Sequence, residues 1–402
     1  MTKETTSKLI KMSGKLRMLL HPKIIYFMNK FSTFLAIVTL ASSVNVFAAA
    51  TEREKLYIAI EGEGKIAVFD TSKQKLLRKI DLSYEQHGMA MPVSPHNVQV
   101  APDGKTVWVT ANGSHGGHAG KPSAAEQNED GDGQHGMVME APSDEVLVID
   151  PQTDEVIQRI PIGPALHLAH VVLTPDSSTA YVTAQNENAI YKLDAHQYKV
   201  TGKLQAPQGS QPHGLRIAPD GSRAYIALLQ GKGLGVLDLA SGKLEVVPLN
   251  GAAVQTAVTP DGKLALATLY DTKQLAVYDT QSKALHYIEL LKGAKGPVQL
   301  YPTPDSRFVY VADQGHYFGQ PDSQWIYKVD LAKSSVIWSV KAGTAPHGIV
   351  IAKDGKSAYV TNIVSDDMSV IDLKTDMETA RIPVGKEPNG ISLWSRDTGG
   401  TP

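Results

Sequence analysis

A short alternating segment that ends in Asp recurs seven times along this chain of 402 residues. Its copies are IAVFD at 66–70, VLVID at 146–150, IYKLD at 190–194, LGVLD at 234–238, LAVYD at 275–279, IYKVD at 326–330 and MSVID at 368–372. Apolar and polar residues that alternate in this way are typical of β-strands. Successive terminal Asp residues lie 80, 44, 44, 41, 51 and 42 positions apart. The spacing predicts seven β-rich units of about 43 residues with two insertions.

A second β-rich segment precedes each copy of the first one. It reads LYIAI at 56–60, VWVTA at 107–111, AYVTA at 180–184, AYIAL at 224–228, LALAT at 264–268, VYVAD at 309–313 and AYVTN at 358–362. Five of these copies follow a Pro-Asp pair, and the last follows Lys353-Asp354. Because Pro and Asp favour tight turns between paired strands, each unit is predicted to be a four-stranded antiparallel meander.

A lone meander cannot bury both of its faces, whereas seven meanders stacked around an axis bury them against each other. The repeat begins with a second-type segment at 56–60, and one unpaired strand, PNGISL at 388–393, remains at the other end. An open β-sandwich does not explain that offset. We therefore predict an all-β fold, a seven-bladed β-propeller of four-stranded antiparallel blades whose ring is closed by the C-terminal strand.

The N-terminal segment does not share the repeat. Met28-Asn29-Lys30 leads into an apolar run at 31–40 and small residues near 48–50, a pattern typical of a secretory signal. The run is too short for a membrane span. We expect an N-terminal extension and signal peptide at 1–50, the propeller at 51–395 and a tail at 396–402. The protein is then periplasmic or secreted, and we expect a monomer.

The absence of Cys excludes thiolate metal sites, disulfides and Cys-x-x-Cys-His haem attachment. Seven of the 39 basic side chains but only one of the 41 acidic ones precede Ala49. The remaining chain therefore carries 32 basic and 40 acidic side chains, a formal charge of −8. Such a surface disfavours nucleic acid as a partner.

Several segments carry a resemblance to a known family. AYVTN at 358–362, PHGLRIAPDG at 212–221 and PHGIVIAKDG at 346–355 resemble YVTN repeats, and the match extends over nearly the whole region after the signal. The chain is similar to YncE-like exported propellers and to the propeller parts of nitrous oxide reductase, methylamine dehydrogenase and haem d1 nitrite reductase. This resemblance implies the propeller fold, while one propeller serves many chemistries.

Histidines gather where the first strand of a blade begins at the central channel. Six positions before each turn, and in the closing strand, the residues are His96, Ala169, His213, Val254, Val298, His347 and Asn389, with His170 one position further along and His167 just before it. Imidazoles that converge on rigid strands suit copper, zinc or nickel. The alternative is a structural role, in which these side chains hydrogen-bond strand ends around a wet channel.

Both insertions, 113–142 and 315–324, fall between the second and third strands of their blades, on the face where the histidines lie. Insertions of this length often carry function. Imidazole with thioether suits copper, and Cu(I) in particular. The motif HGMAMP at 87–92 is echoed by HGMVME at 135–140, which gives as further candidate ligands His87, Met89, Met91, His115, His118, His135, Met137 and Met139.

Three functions fit this pattern. The first is a binding propeller that holds a metal, copper first, or docks a protein partner on the insertion-bearing face. The second is an oxidoreductase or electron-transfer partner, similar to the propellers of nitrous oxide reductase or quinoprotein dehydrogenases. The third is a lactonase-like hydrolase, for which Arg216 and Arg223 are the arginines near suitable strands. Nucleophile-elbow, Walker and helical zinc motifs are absent from the sequence.

Overall fold

The computed structural model of the protein describes residues 54–86, 88–113, 143–396 and 399–400. Within these ranges the chain forms β-strands, and its helical segments are two 3₁₀ turns, Glu61–Glu63 and His316–Phe318. No helix in the described ranges is long and apolar enough to cross a membrane.

The strands follow one another as antiparallel meanders. The chain begins with β1 (Glu54–Ile60), β2 (Lys65–Asp70), β3 (Lys75–Asp81) and the hairpin of β4 (Tyr84–Gln86) and β5 (Met89–Met91). Blade 2 contains β6 (Val93–Val100), β7 (Val107–Gly113), β8 (Ser143–Asp150) and β9 (Glu155–Pro164). Blade 3 contains β10 (Leu168–Leu173), β11 (Thr179–Ala184), β12 (Ala189–Asp194) and β13 (Lys199–Gln205). Blade 4 contains β14 (Pro212–Ile217), β15 (Arg223–Leu228), β16 (Gly233–Asp238) and β17 (Leu244–Pro248).

The same order continues to the end of the ring. Blade 5 contains β18 (Ala253–Val258), β19 (Leu264–Leu269), β20 (Gln274–Asp279) and β21 (Leu285–Glu289). Blade 6 contains β22 (Pro297–Pro302), β23 (Phe308–Asp313), β24 (Trp325–Asp330) and β25 (Ser335–Lys341). Blade 7 contains β26 (Pro346–Ile351), β27 (Ser357–Asn362), β28 (Asp367–Asp372) and β29 (Met377–Pro383), and the chain ends with β30 (Pro388–Ser395) and β31 (Gly399–Gly400).

The C-terminal strand closes the ring, as predicted. β30 pairs antiparallel with β1 and becomes the first strand of blade 1, in a sheet of order β3-β2-β1-β30-β31. Trp394 is 1 % exposed, and its indole Nε1 donates to the carbonyl oxygen of Gly104 in blade 2 at 2.8 Å. The last strand therefore joins the first and second blades.

The core lies between neighbouring blades. One buried cluster packs Trp108 of blade 2 against Val171 and Val182 of blade 3, and another packs Tyr57 of blade 1 against Val98 of blade 2. Each second strand is covered on both faces by apolar residues, which explains why its sequence is rich in Ala, Val and Tyr. The seven-bladed prediction is confirmed.

A threonine in the second strand joins each of four blades to the next one. Its hydroxyl donates to a carbonyl oxygen in the first strand of the following blade, at 2.6–2.9 Å. The hydroxyl oxygen of the threonine also accepts a hydrogen bond from a backbone N–H in the first strand of its own blade, at 2.8–3.2 Å. These residues are Thr110, Thr183, Thr268 and Thr361. The recurring Thr of the sequence thus positions the strands that line the channel.

Candidate functional site

The first strands of the seven blades surround the axis. β6, β10, β14, β18, β22, β26 and β30 each contact the next in the ring, and β30 contacts β6. The pairing of each first strand with its neighbour shifts register near the position of the predicted histidine ring. Such irregularities redirect side chains and are common beside functional sites. The local backbone therefore favours side chains that turn toward the channel.

Three of the predicted histidines come together in the channel. The possible ligand atoms of His96, His170 and His213, which belong to blades 2, 3 and 4, all lie within 4.8 Å of one another. The ring centroids of His170 and His213 are 5.3 Å apart, and those of His96 and His213 are 5.7 Å apart. These three residues form what we call the histidine cluster. Among the described residues, no other group of three or more His or acidic side chains brings its possible ligand atoms this close together.

The histidine cluster is buried, and its members His170 and His213 have lowered pKa values. His170 is 1 % exposed, His96 8 % and His213 9 %. Burial, followed by the neighbouring His213, holds the pKa of His170 well below its usual value. Burial and the nearby His96 lower the pKa of His213 to about 3. Both imidazoles are therefore neutral at pH 7, the form in which imidazole binds a metal ion.

Hydrogen bonds select the ring nitrogens that are available. His213 Nδ1 lies 2.8 Å from the carbonyl oxygen of Val254, so this nitrogen carries the proton and leaves the Nε2 lone pair free. The amide nitrogen of Asn389 lies 3.2 Å from His96 Nδ1, while His96 Nε2 is buried with no hydrogen-bond partner among the described residues. A buried nitrogen without a partner is unfavourable and suits a site that accepts a ligand.

A carboxylate stands beside the cluster. Glu61 Oε1 lies 3.8 Å from His96 Nδ1, and Glu61 Oε2 accepts hydrogen bonds from Asn389 Nδ2 at 2.5 Å and from the Tyr317 hydroxyl at 3.3 Å. Burial and the Glu61 carboxylate hold the pKa of Tyr317 well above its usual value, so its hydroxyl stays a donor. Carboxylates next to metal-binding imidazoles orient the ring and strengthen the ligand.

His347 faces the same channel but lies outside the cluster. It is 2 % exposed, and its ring is 5.6 Å from that of Tyr317. Its Nδ1 lies 2.8 Å from Gln314 Nε2, and its Nε2 has no hydrogen-bond partner among the described residues. Burial, followed by His96, lowers the pKa of His347 to about 3. A further imidazole, neutral at pH 7, therefore borders the site.

The sequence interpretation missed Glu61 and Tyr317. Glu61 lies in the turn between β1 and β2. Tyr317 belongs to the insertion at 315–324, which contacts the channel mouth as expected. Both residues lie between the second and third strands of their blades. That shared loop position was the available signal.

The methionine ligands remain predictions. Met89 and Met91 lie on β5, in the hairpin that links blades 1 and 2 rather than on a channel strand, and Met89 is 50 % exposed. The other candidates of the two motifs and of the first insertion lie outside the described residues, namely His87, His115, His118, His135, Met137 and Met139.

Solved structures share this fold at low sequence identity. Kuenenia stuttgartiensis hydrazine synthase is 19 % identical with a TM-score of 0.62, over 80 % of this chain and 93 % of that one. A functionally unknown protein from Desulfotomaculum acetoxidans is 14 % identical with a TM-score of 0.65, over 85 % and 99 %. A periplasmic gluconolactonase from Pseudomonas aeruginosa is 17 % identical with a TM-score of 0.61, also over 85 % and 99 %. These likenesses establish the fold.

Sequence comparison assigns the family. Among curated proteins, no sequence matches this chain. A family model described as a YNCE-like beta-propeller matches residues 123–400, which is more than half of the chain. Together with the seven closed blades, this match shows that the chain belongs to the family of YNCE-like beta-propellers.

Proposed function

We propose that this propeller binds one first-row transition metal ion at the mouth of its central channel, through His96, His170 and His213. The observation that carries the proposal is the convergence of three buried imidazoles from three blades, with ligand atoms within 4.8 Å of one another. A structural role leaves His96 Nε2 buried without a partner, whereas a metal ion satisfies it.

Copper is the first candidate for the ion. A site made of nitrogen ligands binds Cu(II) more tightly than it binds the other divalent ions of the first transition row. The chain has no Cys that would select zinc in a thiolate site. Thioether ligands from Met89 or Met91, on the hairpin of β4 and β5, would favour the reduced ion Cu(I) over Cu(II).

The proposed setting is an exported protein. The predicted signal at 1–50 lies outside the described residues. We expect a protein partner to dock on the face that carries the channel mouth, where Gly113 and Ser143 flank the first insertion and where the insertion at 315–324 lies. The His-rich and acid-rich insertion at 113–142, of which residues 114–142 lie outside the described ranges, would supply the ligands of a second metal site.

Metal content of the purified full chain tests the proposal. After treatment with a chelator and titration with Cu(II), we expect one equivalent to survive gel filtration, measured by elemental analysis. The double variant H170N/H213N should lose that equivalent. His196→Asn is the matched control, because His196 is exposed in the turn after β12. Equal copper retention by wild type and double variant would contradict the proposal.

Hydrolysis of a lactone is a second candidate with one supporting observation. Of the two arginines considered from the sequence, Arg216 lies on the channel strand β14, whereas Arg223 is exposed at the start of β15. A gluconolactonase shares the fold, at an identity that carries no activity to this chain. Lactone turnover by the same protein, with and without copper, tests this candidate. An absorption band of the isolated protein would instead favour the electron-transfer alternative.

A further inference from the structure

A second ring of equivalent positions lies further along the channel strands than the histidine cluster, and four of its seven residues are polar. Strand register defines it, because each polar member pairs with the aromatic residue of its second strand: Gln99 with Trp108, Arg216 with Tyr225, Tyr301 with Tyr310, and Ser392 with Tyr57. The other three members are Val172, Ala257 and Val350. Arg216 follows His213 by three residues, which corresponds to about 10 Å along a strand. The ring therefore lies below the mouth, inside the propeller.

Arg216 is the one charged side chain of the seven first strands. β6, β10, β14, β18, β22, β26 and β30 contain no Asp, no Glu and no Lys. Glu61, at the mouth, is already engaged with Asn389 and Tyr317. The guanidinium of Arg216 forms no ion pair within the described ranges. A positive charge in a protein interior is costly unless an anion accompanies it.

The donors of Arg216 are mostly available. Its Nη1 donates to the carbonyl oxygen of Leu215 at 2.8 Å, which uses one of the five N–H groups of the guanidinium. Burial lowers the pKa of Arg216, and its charge acts on both His170 of blade 3 and Tyr301 of blade 6. His170 and Tyr301 both belong to channel strands, β10 and β22. Arg216 is nonetheless partly exposed, as expected for a group that borders a narrow channel.

We propose that the channel below the histidine cluster binds a small carboxylate-type anion through the guanidinium fork of Arg216. A planar anion with two oxygens matches the paired N–H groups of Arg, and it supplies the missing negative charge. By strand register, Gln99 of β6 and Tyr301 of β22 lie at the same level of the channel strands as Arg216. This site does not depend on a bound metal, because its charge is present in the metal-free protein.

Acetate and its neutral isostere acetamide are the probes, used with metal-free protein at constant ionic strength. Acetate should raise the thermal unfolding midpoint of the wild type above its value in chloride, since a ligand of the folded state stabilises it. Acetamide should not. Equal effects of the two probes would overturn the proposal, whether or not the protein binds copper.

Two variants locate the effect. Arg216→Gln should weaken acetate binding by about tenfold or more, the loss of one charge-assisted contact. It should also unfold at a higher temperature than the ligand-free wild type, because an unpaired charge is removed. Arg216→Lys keeps the charge without the fork and should bind with intermediate affinity. Arg223→Gln, on the exposed start of β15, is the control, and a loss of binding in this variant or none in Arg216→Gln overturns the assignment.

Discussion

Glu61 lies beside the proposed metal ligands rather than among them. Its carboxylate is held by Asn389 and Tyr317 and lies 3.8 Å from His96 Nδ1. Its negative charge would therefore stabilise the positive charge of a metal ion held at Nε2, on the other side of the ring. Glu61→Gln keeps the size and removes the charge. We expect copper affinity to fall about 10- to 100-fold, measured by competition with a chelator.

The control for that prediction is Glu289→Gln. Glu289 is exposed on the outer strand β21, and its loss should leave copper affinity unchanged. The thermal midpoints of both variants should stay close to that of the wild type, because an effect on folding would lower affinity indirectly. Unchanged affinity in Glu61→Gln would remove Glu61 from the site.

His347 makes folding sensitive to acid. Its pKa is about 3 in the folded chain, because burial and His96 outweigh the opposing effect of Glu61, with Tyr317 alongside. An unfolded chain protonates this imidazole near pH 6.5. The unfolded state therefore binds more protons between these values, so stability is present above pH 6.5 and is lost as pH falls toward 3.

The His347→Asn variant measures this contribution. Between pH 7 and pH 5 the wild type should lose about 2 kcal/mol more of its free energy of unfolding than the variant does. Urea unfolding of the metal-free proteins at both pH values gives the comparison. His286→Asn serves as the control, because His286 is exposed on β21. Identical pH dependence in His347→Asn and wild type would contradict the assignment.

At the scale of one strand, the threonine of the YVTN segment links two blades. The Thr361 hydroxyl donates to the Asn389 carbonyl oxygen at 2.7 Å and accepts the Gly348 N–H at 2.8 Å. A Cβ at Gly348 would overlap that same carbonyl, so the Gly of the Pro-His-Gly phrase allows β26 and β30 to approach closely. Four copies of the repeat thus encode a contact with the next copy.

Thr361→Val keeps the shape of the side chain and removes both hydrogen bonds. Two buried main-chain groups then lose a partner, and we expect a loss of about 2 kcal/mol in the free energy of unfolding. Thr201→Val on the exposed face of β13 should change it by less than about 0.5 kcal/mol. Urea denaturation distinguishes the two, and equal stability of Thr361→Val and wild type would show that the link contributes nothing.

For the whole molecule, closure of the ring depends on β30. This strand buries Leu393 and Trp394 and supplies the first strand of blade 1. A chain that ends at residue 387 leaves β1 without its inner neighbour and exposes the apolar residues of blades 1 and 2. We expect this truncated chain to lose cooperative unfolding, measured by calorimetry, and to associate, measured by size-exclusion chromatography.

A chain that ends at residue 395 is the matched truncation. It keeps β30 and loses β31, which pairs through two residues only, Trp394 with Gly400 and Ser395 with Gly399. We expect it to unfold cooperatively and to elute as a monomer. If the chain that ends at residue 387 also unfolds cooperatively and elutes as a monomer, the ring does not need its closing strand.

The amino-acid sequence by itself determined the propeller. Strand alternation, Pro-Asp turns and terminal Asp residues are local signals, and their sevenfold recurrence with an offset end specified both the blade count and the closure. It also placed His96, His213 and His347 at equivalent positions of a ring, because equivalent residues of a repeat occupy equivalent places.

Only the tertiary structure decided which of those residues meet. His96 and His213 lie close to His170, which occupies the next position of its strand, while His347 lies beside Tyr317 instead. Glu61 reaches the site from the turn of another blade, and the first strands of the other six blades provide no acidic side chain beside Arg216. Distances across a channel depend on blade packing and on irregular strand register, and neither is encoded in a periodic pattern.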